Sequence, residues 1–238
     1  LTNITTISDT HGMHDYIHLD GGDLLIHAGD CTPRGRLADI EEFLRWFGDQ
    51  PYNKKILVPG NHDWEFEKQP DYCYELCNSY DVTLLIDEGI SYKGLKIWGS
   101  PVTPEFFSWA FNRSRTIETA TERHPYIGNY WDKIPEDVDI LITHGPPFGK
   151  LDKNMNLENT GCESLVRHIK RVKPVMHIFG HIHEDRGILV DKNNNITYVN
   201  TASLNGRYKP YNDDPLVFDW NKVVMGQSRG RDYESLTS

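Results

Sequence analysis

Residues 54–64 read KKILVPGNHDW, a short apolar run that stops abruptly in Gly60, Asn61, His62 and Asp63. Near-continuous apolarity over four to six residues is the pattern of a strand buried on both faces. Such a strand has no packing use for three polar side chains at its end, so the tetrapeptide asks whether other strands end the same way. Similar runs recur at NITTI (3–7), DLLIHA (23–28), VTLLI (82–86), VDILIT (138–143) and VMHIF (175–179).

Helical stretches separate them. LADIEEFLRWF (37–47) puts Leu37, Ile40, Phe43, Leu44 and Phe47 on one face and its acids and Arg on the other. DYCYELCNSY (71–80) and ESLVRHIKRV (163–172) are weaker examples, the first placing Cys73 and Cys77 on one helix face. Hairpins are expected at 90–98, turning at Lys93-Gly94, and at 187–199, turning at the Asn run, with LVF (216–218) as an edge strand. This order predicts an α/β layered domain with mixed sheets. One domain is expected over 1–224, with a tail at 225–238. The stretch 112–132 lacks a clear period and is rich in Arg, Thr and aromatics, which marks a long functional loop or cap.

Composition narrows the function. The net charge of −10 argues against nonspecific affinity for nucleic acid or an anionic membrane. No apolar run approaches the ~18–20 residues that span a bilayer, and no signal peptide is evident. Four cysteines without a C-x-x-C pair are too few for a disulfide scaffold, so a reducing cytoplasm is the expected compartment. Oligomeric state is not readable from the sequence.

Five apolar runs end in Asp, Asn or His: Ser8-Asp9-Thr10-His11, Gly29-Asp30, Gly60-Asn61-His62-Asp63, His144-Gly145 and Gly180-His181-Ile182-His183. Sites of open α/β sheets assemble at the carboxyl ends of strands, so residues from 9 to 183 can converge. Asp9, His11, Asp30, Asn61, His144, His181 and His183 are the candidate ligands. Oxygen and imidazole donors without Cys suit divalent Mn, Fe, Co, Ni or Zn, with manganese as the working choice. Seven ligands are too many for one ion and right for two, with Asp30 placed to bridge. Two such ions activate a water and clamp both oxygens of a phosphoryl displacement. Any single strand-end His is more often a hydrogen-bonded structural residue. The five blocks together, in order, are what carry the signal. His27 and His177, inside apolar runs, read as core or supporting residues, and His14, His18, His124 and His168 as surface.

SDTH, GD, GNHD, THG and GHIH, in this order, resemble the blocks of the calcineurin-like metallophosphoesterase superfamily. GSPVTPEFFSWAFN (99–112), THGPPFGKLD (143–152) and GHIHEDRG (180–187) are most similar to its metallophosphoesterase-domain-containing phosphodiesterase branch. The resemblance implies a four-layer α/β/β/α sandwich of two mixed sheets, with a dinuclear metal site at the carboxyl ends of strands. It implies Asp9, His11 and His183 on one ion, Asn61, His144 and His181 on the other, and Asp30 bridging. His62 would face the phosphate, and Asp63 would hydrogen-bond the far nitrogen of His62. The implied activity is hydrolysis of a nucleotide-like or other small phosphodiester by a metal-bridging hydroxide. The alternatives are a phosphomonoesterase or protein-phosphatase-like hydrolase, and a non-catalytic metal-binding interaction module.

Two arginines are candidate substrate contacts. Arg113 lies in the 112–132 stretch, whose Arg and aromatic content suits phosphate contact and base stacking. Arg34 keeps the spacing of the G-D-x-x-D-R-G block of protein serine/threonine phosphatases, although Pro33 replaces the second Asp. It is either a phosphate clamp or a solvated turn residue.

Overall fold

The computed structural model describes residues 3–212 and 215–229. The apolar runs form strands nearly where their composition places them: β1 (Asn3–Ile7), β2 (Gly22–His27), β3 (Tyr52–Leu57) and the short β4 (Thr83–Leu84). Helices α1 (Leu37–Gly48), α2 (Trp64–Lys68) and α3 (Pro70–Ser79) lie between them in sequence. The hairpin β5 (Glu88–Tyr92) and β6 (Leu95–Ser100) turns at Lys93 and Gly94, both at positive φ, as a two-residue primed turn requires. Short pieces follow: β7 (Thr103–Pro104), β8 (Asn112–Arg113) and α4 (Gly128–Trp131). The second half is β9 (Ile140–Thr143), α5 (Glu163–Val172), β10 (Met176–Phe179), the pair β11 (Gly187–Asp191) and β12 (Ile196–Asn200), β13 (Leu216–Asp219) and α6 (Trp220–Arg229).

The strands make two mixed sheets, ordered β13-β1-β2-β3-β4 and β11-β12-β10-β9-β6-β5. In each, a parallel centre is flanked by antiparallel strands: β13 on β1 in the first, β11 on β12 and β5 on β6 in the second. β13 is the expected edge strand. Three apolar clusters give the layers. Ile4, Leu24, Ile26 and Ile56 of the first sheet pack against Ile97, Ile140, Ile142 and Ile178 of the second. The outer face of the first sheet, with Leu25 and Leu57, is covered by Phe43, Phe47, Cys73 and Cys77 of α1 and α3. The outer face of the second, with Leu141 and Tyr198, is covered by Trp131, Leu165 and Ile169 of α4 and α5. The result is helix, sheet, sheet, helix.

Burial on both faces is why these strands read as unbroken apolar runs rather than alternations. It also leaves their carboxyl ends as the place where polar side chains gather. Three helices have no forerunner in the sequence reading: α2, α6 and the short α4, which lies within the stretch read as a loop or cap. The expected boundary at residue 224 falls inside α6, and residues 230–238 of the expected tail lie outside the described residues. Among the described residues no helix is long and apolar enough to cross a membrane.

Candidate metal centre

β1, β2, β3, β9 and β10 each end in a loop carrying one of the five polar blocks, and all five loops meet. Donor atoms of Asp9, His11 and His183 lie within 4.8 Å of one another, as do those of Asp30, His144 and His181. A third set, His11, Asp30 and His62, links the two, so Asp30 belongs to both sides. Its Oδ2 is 3.7 Å from His11 Nε2, and its Oδ1 is 3.4 Å from His144 Nε2. Asn61 Oδ1 is 2.9 Å from His144 Nε2, and Asp9 Oδ1 is 3.5 Å from His183 Nε2.

The approach is so close that side chains would not fit without glycine. A Cβ at Gly60 would overlap Asp30 Oδ1, and one at Gly180 would overlap Asp9 Oδ2. The loops are also strained. Asp9, His11, Asp30 and His181 all adopt positive φ (52°, 44°, 56° and 70°) without being glycine. Left-handed conformations of non-glycine residues cost free energy and cluster at functional sites.

The donor set fits a cation. His144 Nδ1 donates to the Ala28 carbonyl at 2.9 Å, leaving Nε2 facing two oxygens, those of Asn61 and Asp30. Burial alone would lower the His144 pKa, but the Asp30 and Asp9 carboxylates outweigh it and hold it up to about 9. A positive charge is therefore favoured at that point. On the other side, His11 Nε2 and His183 Nε2 face each other at 3.3 Å, and His183 Nδ1 is directed at the Asn205 carbonyl. His11 Nδ1 is buried without a hydrogen-bond partner. Burial pushes His11 down to about 4 and His181 to about 3, against the pull of Asp30 and Asp9, which keeps both imidazoles neutral as metal ligation needs. Despite burial, Asp30 and Asp9 sit below the usual carboxylate range, Asp30 through His144 and Asp9 through His183.

Behind the ligands stand two core histidines in matching roles. Gly29 N–H donates to His27 Nδ1 at 3.2 Å, so His27 Nε2 carries the proton toward Thr10 Oγ1 at 3.1 Å. The Thr143 hydroxyl donates to the Gly145 carbonyl at 2.7 Å and accepts from His177 Nε2 at 2.8 Å. Thr10 sits between Asp9 and His11, and Thr143 directly precedes His144. Each histidine thus braces a ligand-bearing loop. His14, expected on the surface, is buried against Phe43 and Trp46.

His62 faces the cleft, but Asp63 does not orient it. His62 Nδ1 is 2.9 Å from the Pro33 carbonyl, which fixes the tautomer and turns Nε2 into the cleft, 3.9 Å from Asp30 Oδ2. The fully buried Asp63 carboxylate accepts instead from Gly60 N, Cys31 N, Thr32 N and Thr32 Oγ1. The expected Asp63–His62 bond is replaced because Asp63 lies closer to the donors of two loops, which it ties together.

The two arginines are placed differently. Arg113 is held by Glu67 at 2.9 Å and by the Tyr130 ring, and so joins α2 to the 112–132 stretch. Arg34 is exposed, and its side chain makes no hydrogen bond or ion pair with any described residue. Of the 112–132 stretch, Ile127 and Trp131 pack against α5, and Arg115 lines a cavity beside the site. The roof comes from elsewhere. Trp109 stacks on His62, Phe106 stands at the rim, and Tyr208 lies 5.1 Å from both the His11 and the His183 rings. Phe106 and Trp109 sit within a stretch that carries the family resemblance, whereas no signal in the sequence marks Tyr208.

A helix–sheet–sheet–helix sandwich with candidate metal ligands gathered at its strand ends is the fold and site type of a metallophosphoesterase, and the comparisons agree. The chain matches calcineurin-like phosphoesterases over residues 2–185 and belongs to that family. It is 37% identical over 241 residues to human metallophosphoesterase domain-containing protein 1, covering 92% of this chain and 71% of that protein. A UPF0046 protein of Caenorhabditis elegans is 33% identical over 227 residues, with 90% and 74% covered. A solved structure shares the fold at a TM-score of 0.61 and 17% identity, over 93% of this chain and 96% of the other.

Proposed function

We propose that this chain is a metal-dependent hydrolase of small phosphodiesters. The observation that carries this reading is the convergence of Asp9, His11, Asp30, Asn61, His144, His181 and His183 beside a histidine, His62, whose Nε2 faces the same cleft. Asp9, His11 and His183 would hold one divalent ion and Asn61, His144 and His181 the other, with Asp30 shared. Bound ions would supply the positive charge that neutralises phosphoryl oxygens and acidifies water.

The chain's own residues then have distinct tasks. His27 and His177 hold the loops through Thr10 and Thr143. Pro33 and Trp109 hold His62 so that Nε2, once the ring has taken up a second proton, can pass that proton to the departing ester oxygen. Trp109, Phe106 and Tyr208 exclude bulk water from one side of the cleft, which strengthens every electrostatic interaction within it. The exposure of Arg34 and the engagement of Arg113 favour a diester, because neither guanidinium is placed to clamp the extra charge of a monoester.

The test is a panel of diesters and monoesters assayed with Mn, Fe, Co, Ni and Zn, alongside elemental analysis of the loaded protein. Two equivalents of metal and a preference for diesters are expected. A preference for monoesters would overturn the diester reading, and a fully loaded protein inert to every ester would overturn hydrolysis.

A further inference from the structure

The metal cleft does not end at the candidate ligands. A cavity of about 310 Å³ adjoins it, and both are lined by Phe106, His181 and Ile182. A phosphoryl group over the ligands would therefore project one of its ester substituents past His181 into this space. We infer that the cavity is a substrate subsite for a flat, uncharged aromatic or heteroaromatic ring. This rests on the phosphoesterase reading and specifies its substrate.

Three features set the class. Pro104, Phe106 and Pro146 supply apolar lining, and Phe106 is 60% exposed although it meets Phe107 in a T-shaped contact, so ring surface remains available to stack. Arg115 is the one cation among the lining residues, and it is already engaged. Its guanidinium donates to the carbonyls of Gly161 and Thr160 and pairs with Glu163 at 2.7 Å. Glu105 adds a further negative charge, so the cavity disfavours a phosphate or carboxylate substituent. Asn159 makes no side-chain hydrogen bond to any described residue, so its amide can pair with a heteroatom on the ring edge. The volume is of the size that holds one ring system, at the lower end of small-molecule pockets.

Calorimetric titration of the metal-loaded protein with methyl phosphate, phenyl phosphate and a nucleoside 5′-monophosphate tests this without relying on turnover. All three carry the same phosphoryl group and differ only in the substituent. One or both ring-bearing ligands should bind about tenfold or more tightly than methyl phosphate. Asn159→Trp, a change at an exposed position that fills the cavity, should bring them down to the methyl phosphate level. Phe106→Ala should reduce the same advantage. Tight phenyl phosphate with weak nucleotide identifies a simple aryl group. Tighter nucleotide, weakened by Asn159→Ala, identifies a nucleobase. Equal binding of all three, or an advantage untouched by Asn159→Trp and Phe106→Ala, overturns the subsite while leaving phosphoryl binding intact. No binding of any of them would instead bring down the phosphoesterase reading on which the subsite depends.

Discussion

The His62 imidazole lies on the Trp109 indole with centroids 4.1 Å apart and planes 21° apart, and it meets the His11 ring in a T-shaped contact with centroids 4.7 Å apart. Together with the Pro33 carbonyl, this holds the one cleft-facing histidine that the proposed mechanism does not assign to an ion. His62→Ala is expected to keep the metal content of the wild type. It should slow esters with poor leaving groups by about 10²–10⁴-fold and nitrophenyl esters far less. Equal losses on both classes would assign His62 to charge stabilisation alone. Trp109→Ala should reproduce a smaller part of the same selective loss.

Asp30 is the residue common to both sides of the cluster. Asp30→Asn removes the shared charge while keeping the shape. Metal content should fall from two equivalents to one or fewer, and turnover should drop by at least about a thousandfold. Chelation of the wild type should lower its thermal midpoint, since an ion bound only by the folded state adds about 2.7 kcal/mol at a hundredfold excess over its dissociation constant. Asp30→Asn should show little of that shift.

Asp63 predicts a stability effect rather than a kinetic one. Its removal leaves the buried donors of Gly60, Cys31 and Thr32 without an acceptor. Asp63→Ala should destabilise the fold by roughly 3 kcal/mol or more, read by urea or thermal unfolding. A fold as stable as the wild type would remove Asp63 from its tying role.

The two bracing histidines predict acid sensitivity. Burial lowers His27 and His177 from 6.5 to about 3, in His27 against the opposing pull of Asp9 and Asp30. Both are neutral in the fold, so their stability contribution is complete above pH 6.5. As pH falls below 6.5 the unfolded chain takes up protons that the native state refuses. Stability should then decline by about 1.4 kcal/mol per pH unit for each histidine until pH nears 3. His27→Gln and His177→Gln should each reduce proton uptake on unfolding between pH 6 and 4 by close to one.

Arg34→Ala should leave the Michaelis constants of monoesters and diesters alike unchanged, because the side chain is exposed and does not line the cleft. A selective rise for monoesters would restore the phosphate clamp.

Strand identity and the ligand set were legible in the sequence because both are local. A strand buried on two faces must be a short apolar run, and a polar block after it must sit at its carboxyl end; KKILV followed by Pro59 and Gly60-Asn61-His62-Asp63 carries both facts in ten residues. The glycines were legible for a related reason, since the ligand side chains need the space a Cβ would fill. What the tertiary structure decided is everything set by contact between distant loops. His11 and His183 face each other although 172 residues separate them. The partners of Asp63, the Pro33 carbonyl on His62, the engagement of Arg113 by Glu67 and the aromatic roof follow no period. Each depends on which donor or ring the folded loops bring within reach, and that competition is settled only when both sheets have closed on each other.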